Sequence, residues 1–462
     1  MQIKKYIGDR AFFRTILGIS IPIMIQSGVS MFVNLLDNVM VGKLSTEAMS
    51  GVSIVNQFLL ILNLLIFGAV SAAGIFTAQF HGLGDVRGEK QTFRFKIIIN
   101  LIAVAIGVAA FLIFNEPLIR LFLHDGSAQG DLDLTLALGQ KYLYVMLFGL
   151  VPFAFSQAYA STMRETGQTV VPMIASVCAV VTNFLLNAIL IFGLLGAPAL
   201  GVVGAALATV ISRFVELGIL VLWGHTHPER CPYLVGAFRS LSIPRSLFFR
   251  ILAKGLPLMA NEVFWSVAIT MRNQSYSLRG LDAVAAQNIA GTIINLFSVI
   301  YLALASSLAI VVGGQLGAGE IERGRDTARK MRVFSAGCSV IMGVLLILVS
   351  SLFPRLYNTT DAVRSLASFM IVADALAMPF FAYSHASNFT LRSGGKVAVS
   401  MLFDSVYVWV FVLPVVFLLS RFTSLDIHYL YAAGNLAEAI KSIFGFILLK
   451  KVNWAEQLVG KQ

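Results

Sequence analysis

Residues 15–41 read TILGISIPIMIQSGVSMFVNLLDNVMV, and Asp37 is the one charged side chain among them. A helix needs about 20 mostly apolar residues to cross the hydrocarbon core of a bilayer, and this run exceeds that length. A strand of a membrane barrel would alternate and end after about ten residues. The stretch therefore predicts a spanning helix. Eleven further runs of the same kind follow, at residues 51–79, 95–114, 142–161, 170–193, 200–223, 256–277, 284–314, 333–353, 365–388, 398–419 and 428–449.

The composition agrees. Of the 462 residues, 58% are hydrophobic and 12% charged, about half the roughly 25% charged of a soluble protein. Mean hydropathy is +0.83. A water-soluble domain of this size would have to present a largely apolar surface, so soluble enzymes and disordered chains are excluded. The net charge of +11 does not indicate a nucleic-acid partner, because basic loops on the cytoplasmic face of a membrane protein account for it. With both termini on one side, that side carries 24 Lys and Arg residues and the other 7, leaving Arg213, Arg272 and Lys441 at membrane depth. Both termini are therefore expected in the cytoplasm, with an acidic external loop around Glu116, Asp125, Asp131 and Asp133. The apolar stretch after Arg14 is too long for a cleavable signal. Cys178, Cys231 and Cys338 match no disulfide or metal spacing and read as two core thiols and one loop thiol.

The two halves repeat. Pro22 in ISIPIMIQ aligns with Pro257 in KGLPLMAN at an offset of 235, which places Arg272 at the position of Asp37 and Asn273 at that of Asn38. Gln79, Arg87 and Gly88 align with Gln315, Arg323 and Gly324, and Arg164 and Gly167 with Arg392 and Gly395. Six spans per half is an even number. The halves therefore insert the same way up, about an axis along the membrane normal, with a cavity at their interface. The expected organisation is an N-lobe (1–223), a cytoplasmic linker (224–250) and a C-lobe (251–462). RAFFRTILGIS and RSLFFRILAKG are amphipathic and read as short helices on the membrane surface.

Ionisable groups at membrane depth are costly, and function is the first hypothesis for them. Asp37 lies roughly 33 Å along its helix, with Asn183 and Asn187 spaced i, i+4 on span 5. One carboxylate and two amides suit a proton or a small cation. The second half carries Glu262, Arg272, Asp374 and Asp404. Arg272 is expected to contact Asp374 or the cleft water, which would leave Glu262 the more readily protonated group. Arg213 with Glu216, and Glu438 with Lys441, have i, i+3 spacing and are expected to pair locally.

IPIMIQSGVSMFVNLLDNVMVGKLS in span 1, RETGQTVVPM, TNFLLNAILIFG and GVVGAALAT through spans 4–6, LPLMANEVFWS in span 7 and LRSGGKVAVSMLFD resemble the multidrug and toxic compound extrusion (MATE) family over essentially the whole chain. The resemblance implies an all-α polytopic membrane protein with twelve transmembrane helices in two pseudo-symmetric six-helix bundles around a V-shaped central cleft. It also implies export of small amphipathic organic cations coupled to H⁺ or Na⁺, with no other cofactor, by a monomer in the bacterial inner membrane. One branch of the family pairs the span 1 Asp with an Asn and an Asp in span 5; here these are Asn183 and Asn187. Another uses a Glu in span 7 and an Asp in span 10, which Glu262 and Asp374 resemble, with Glu262 about three residues nearer the proline. Two other classes compete. A lipid-linked sugar flippase needs a strongly cationic cavity. An intramembrane enzyme needs a catalytic motif, and no HExxH, GxSxG or P-loop occurs.

Overall fold

The computed structural model describes residues 6–120 and 131–460, apart from the side chains at 34–36, 38, 39 and 46. Asp125, which the sequence places in the external loop, lies outside the described residues. Everything described is helix or short connection.

The first half consists of α1 (Arg10–Gly42), α2 (Thr46–Leu83), α3 (Val86–Arg120), α4 (Leu132–Phe148), α5 (Leu150–Glu165), α6 (Val170–Phe192) and α7 (Val202–Thr226). The second consists of α8 (Arg245–Ser277), α9 (Leu281–Gly317), α10 (Ile321–Val349), α11 (Asp361–Ser393), α12 (Val397–Met401), α13 (Leu413–Phe422) and α14 (Ile427–Lys451). Among the described residues, ten helices are long and apolar enough to cross a membrane, and the bent pair α4–α5 makes an eleventh. α8, at 33 residues, completes the twelve. Its apolar run is interrupted by Arg250, Lys254, Glu262 and Arg272. α1 and α8 have the same length, and Pro22 and Pro257 hold the same place in each.

Three local features depart from the sequence reading. The two amphipathic stretches are not separate surface helices, since both continue without a break into α1 and α8. Span 4 starts ten residues earlier than expected and bends by 47° between α4 and α5. Gly149 stands at the bend, and a Cβ there would come within 3.2 Å of the side chains of Val210 and Arg213. Pro152 follows and lacks the N–H that an unbroken helix would use. Span 11 contains π-type widened turns at Leu402–Val406 and Val408–Val412, immediately before Pro414. The wider turn relieves the clash of a proline ring with the preceding turn, and it carries Asp404.

The chain forms two compact units. One comprises residues through Met24, Ala78–Gly84 and Leu256–Gln462; the other comprises Ile25–Thr77 and Asp85–Gly255. In the first, α11 packs against α9, α10 and α14, with Met370, Ile371, Ala382 and Leu430 fully buried between them. The end of α2 meets α9 backbone to backbone: a Cβ on Gly317 would sit 1.9 Å from the Gln79 carbonyl oxygen. Small residues permit this approach. In the second unit α6 pairs with α7, and α3 with α5. Between α7 and α8 the chain is folded rather than loose. Arg94 donates to the carbonyls of Ala237 at 2.8 Å, Gly236 at 3.2 Å and Ser242 at 3.2 Å. Cys231 and Tyr233 are fully buried there. The loop thiol is thus the enclosed one, and Cys178, in α6, is exposed.

Candidate functional site

The first cluster lies in the unit holding α3–α7. Asp37, near the end of α1, accepts a hydrogen bond from Nδ2 of Asn187, whose Nδ2 also reaches Asn183 Oδ1 at 3.0 Å. Asn183 and Asn187 are one helical turn apart on α6, so they present side by side. Turning the Asn183 amide gives up the bond from Asn187 and lets the Asn183 nitrogen donate to Asp37 at 2.9 and 3.2 Å while its oxygen accepts from Thr209 at 3.2 Å. Asp37 then has only amide partners. No Lys, Arg or His lies within ion-pair distance of it among the described residues.

Asp37 faces a cavity of about 410 Å³ that is also lined by Asn56, Gln57, Asn63, Tyr142 and Arg213. The Tyr142 hydroxyl donates to Asn56 at 3.3 Å. Arg213 does not pair with Glu216. Its guanidinium lies over the Phe153 ring at 4.9 Å, and its Nη1 is buried without a hydrogen-bond partner. The i, i+3 spacing fails here because Arg213 turns towards α5. The cavity thus holds a carboxylate, a guanidinium and amides.

The second unit gathers its charges differently. Arg272 is ion-paired with Glu438, not with Asp374. Asp374 is 7% exposed and accepts from Tyr431 at 2.6 Å and Asn435 at 2.7 Å, so both its oxygens are occupied. These two donors are one turn apart on α14 and cap the carboxylate that Arg272 was expected to hold. Glu262 is likewise not free: Arg392 Nη2 donates to its Oε1 at 2.9 Å.

Asp404 is ion-paired with Lys441 and accepts from Asn261 at 3.1 Å and Asn388 at 3.0 Å. Glu438 and Lys441 therefore do not pair with each other, because each reaches a different neighbouring helix. Ser400 links the groups: it donates to Asn388 and accepts from Arg392 Nε at 3.3 Å. A continuous chain runs Glu262–Arg392–Ser400–Asn388–Asp404–Lys441, buried except at Glu262. It contains two acids and two bases, so its net charge is zero.

Another pair was hidden from the sequence. Lys96, one residue into the run that starts at Phe95, is fully buried on α3, ion-paired with Glu165 and bonded to Thr162 at 3.0 Å. Arg164, next to Glu165, donates to Gln26 at 3.3 Å. Asn261, Asn388, Tyr431 and Asn435 were also missed. A neutral polar residue leaves no charge to notice, and only the i, i+4 spacing of Tyr431 and Asn435 could have pointed to them. No group of three or more His, Cys, Asp or Glu side chains gathers to hold a metal among the described residues.

The MatE family profile matches residues 22–189 and 258–418, one stretch in each half. The chain belongs to the MATE family. Two curated relatives are called probable multidrug resistance protein NorM. The one from Thermotoga maritima is 23% identical over 90% of this chain and 87% of its own. The one from Bacillus subtilis is 26% identical over 96% and 97%. The structure of an outward-facing multidrug resistance MATE family transporter superposes with a TM-score of 0.86 at 20% identity, covering 97% of each chain. That likeness carries the fold: an all-α membrane protein of the twelve-helix MATE type.

Proposed function

We propose that the chain is a secondary active exporter that moves small amphipathic cations out of the cell in exchange for protons taken up at Asp37. The observation that carries this reading is a carboxylate held by neutral amides and open to a polar cavity. Every other intramembrane acid named above, except Glu216, is either paired with a base or capped on both oxygens. Asn187 Oδ1 is buried and accepts from nothing. Turned through 180°, the same amide would offer that oxygen to a protonated Asp37. One residue thus serves the carboxylate as donor and the carboxylic acid as acceptor.

Na⁺ is the second ion to test at this site, with Asp37, the oxygens of Asn183 and Asn187, and Thr209 as ligands. Amide N–H groups aimed at the carboxylate favour the proton, since a cation there would require them to turn away. A flippase for pyrophosphate-linked lipids fits less well. Arg272 and Lys441 are neutralised by Glu438 and Asp404, which leaves Arg213 alone. The proposed setting is the bacterial inner membrane, with cytoplasmic termini and a single chain as the working unit. Purified protein in proteoliposomes, loaded with a fluorescent lipophilic cation, tests the reading. An imposed pH gradient is expected to drive transport, and a Na⁺ gradient at equal pH is not.

A further inference from the structure

A cavity of about 820 Å³ lies among α10, α11, α14 and the residues just past α14. Its lining includes Arg325, Arg329, Arg332, Lys450 and Lys451 and no acidic residue. Two of these cations have counterions outside the cavity: Arg325 pairs with Glu322 at 3.0 Å, and Arg329 with Asp326 at 3.5 Å. Asp326 is shared with Lys330 at 2.6 Å.

Arg332, Lys450 and Lys451 have no carboxylate within 4 Å among the described residues. Arg332 spends its Nε on the Ala328 carbonyl at 3.1 Å and lies 5.9 Å from the Tyr383 ring centre. Lys450 lies over Phe446 at 4.1 Å. The two lysines also complement the carbonyl end of α14, but Arg332 is on another helix and has no such role.

Position in the sequence sets the depth of these groups. α10 turns continuously apolar from Val333 onward, and α14 turns polar at Lys450. Both boundaries meet at this cavity, so the three cations lie where hydrocarbon gives way to headgroups. Below them, Val333 (40% exposed) and Phe446 (49%) present apolar surface outward. Trp454 and Tyr383 line the wall, as aromatic side chains do at this level of a bilayer. The site thus offers cations at the interface with an apolar slope beneath.

We infer that this cavity binds the phosphodiester headgroup of an anionic glycerophospholipid, with Arg332, Lys450 and Lys451 on the phosphate and one acyl chain along Val333 and Phe446. Basic pockets between helices at a membrane surface are known to take such headgroups. A zwitterionic lipid would bring a choline or ethanolamine cation into a cavity with no acid to receive it.

The test uses the purified full chain in detergent, with bound lipid counted by native mass spectrometry. Dioleoyl-phosphatidylglycerol is titrated against dioleoyl-phosphatidylcholine, with an excess of inorganic phosphate in a third arm. Phosphatidylglycerol is expected to bind in preference to phosphatidylcholine and to resist phosphate. Arg332→Gln with Lys450→Gln is expected to weaken it about twenty-fivefold, at roughly fivefold per cation. Arg332→Lys, which keeps the charge, is expected to retain it, so loss of lipid through misfolding is distinguishable. Lys330→Gln, outside the cavity, is expected to change nothing. Equal binding of the two lipids, or phosphatidylglycerol binding unchanged in the double variant, would overturn the assignment. Displacement by phosphate would show a site for a free anion instead.

Discussion

Arg392 on α11 donates from Nη2 to Oε1 of Glu262 on α8 at 2.9 Å, across 130 residues of sequence. Arg392 stands at the repeat position of Arg164, whose partner is the neutral Gln26 at 3.3 Å. Equivalent arginines thus meet a charge in one unit and an amide in the other. Removing one member of a buried ion pair strands its partner, at a cost of about 3–5 kcal/mol. Arg392→Leu is therefore expected to lower thermal stability markedly in a fluorescence size-exclusion assay, and Arg164→Leu much less. Glu262→Gln added to Arg392→Leu should recover part of the loss. No recovery would mean that Arg392 acts through Ser400 and not through its charge.

The Arg272–Glu438 pair gives a second discrimination. Arg272→Ala is expected to destabilise the protein by about 3–5 kcal/mol. Glu438→Gln should partly rescue that variant, whereas Asp374→Asn should not, because Asp374 is held by Tyr431 and Asn435. Rescue by Asp374→Asn alone would contradict the observed partnership.

The fold was legible because a membrane demands long apolar runs, and Pro22 and Pro257 mark the same place in two helices. The partnerships were not legible. Residues three apart share a helix face, which made Glu438 and Lys441 look like partners. That same face meets several other helices, and each side chain found a better-placed charge there. Lys96 misled for a related reason. It stands one residue into the run starting at Phe95, where a lysine ordinarily reaches back to the surface. The buried Glu165 came from a segment that the expected span 4 had stopped short of. Gly149 and Pro152, which bend that helix, were visible, but nothing in their spacing showed that the helix resumes on both sides. Asp37, Asn183 and Asn187 came together as their spacing suggested, because the i, i+4 pair needed only one neighbouring helix to complete it.

Cysteine chemistry checks the folded linker. Burial pushes the Cys231 thiol up from its ordinary range, which lowers the fraction present as the reactive thiolate. At pH 8, N-ethylmaleimide is expected to label Cys231 roughly tenfold or more slowly in the folded protein than after denaturation. The folded rate should climb only at higher pH. Peptide mass spectrometry separates Cys231 from Cys178 and Cys338. Prompt labelling of Cys231 in the native state would show that the segment around Tyr233 opens readily.

Orientation is checked by two exposed positions, Ser240 in the linker and Asn358 between α10 and α11. A cysteine at Asn358 should react with an impermeant maleimide added to intact cells. A cysteine at Ser240 should react only after permeabilisation. The opposite pattern would invert the topology read from the basic residues.

Proton uptake at Asp37 is tested most directly by the effect of Asp37→Asn on pH-gradient-driven efflux in proteoliposomes. Wild-type and variant protein should be reconstituted at equal density, with a lipophilic cation as the reporter. The substitution keeps the size of the side chain and removes the titrating group. Transport should fall to the level of empty liposomes while the variant remains folded and monodisperse. Asn183→Ala or Asn187→Ala should weaken transport without abolishing it. Efflux by Asp37→Asn at the wild-type rate under the same gradient would show that protons are not taken up at Asp37, and the coupling site would have to be sought elsewhere.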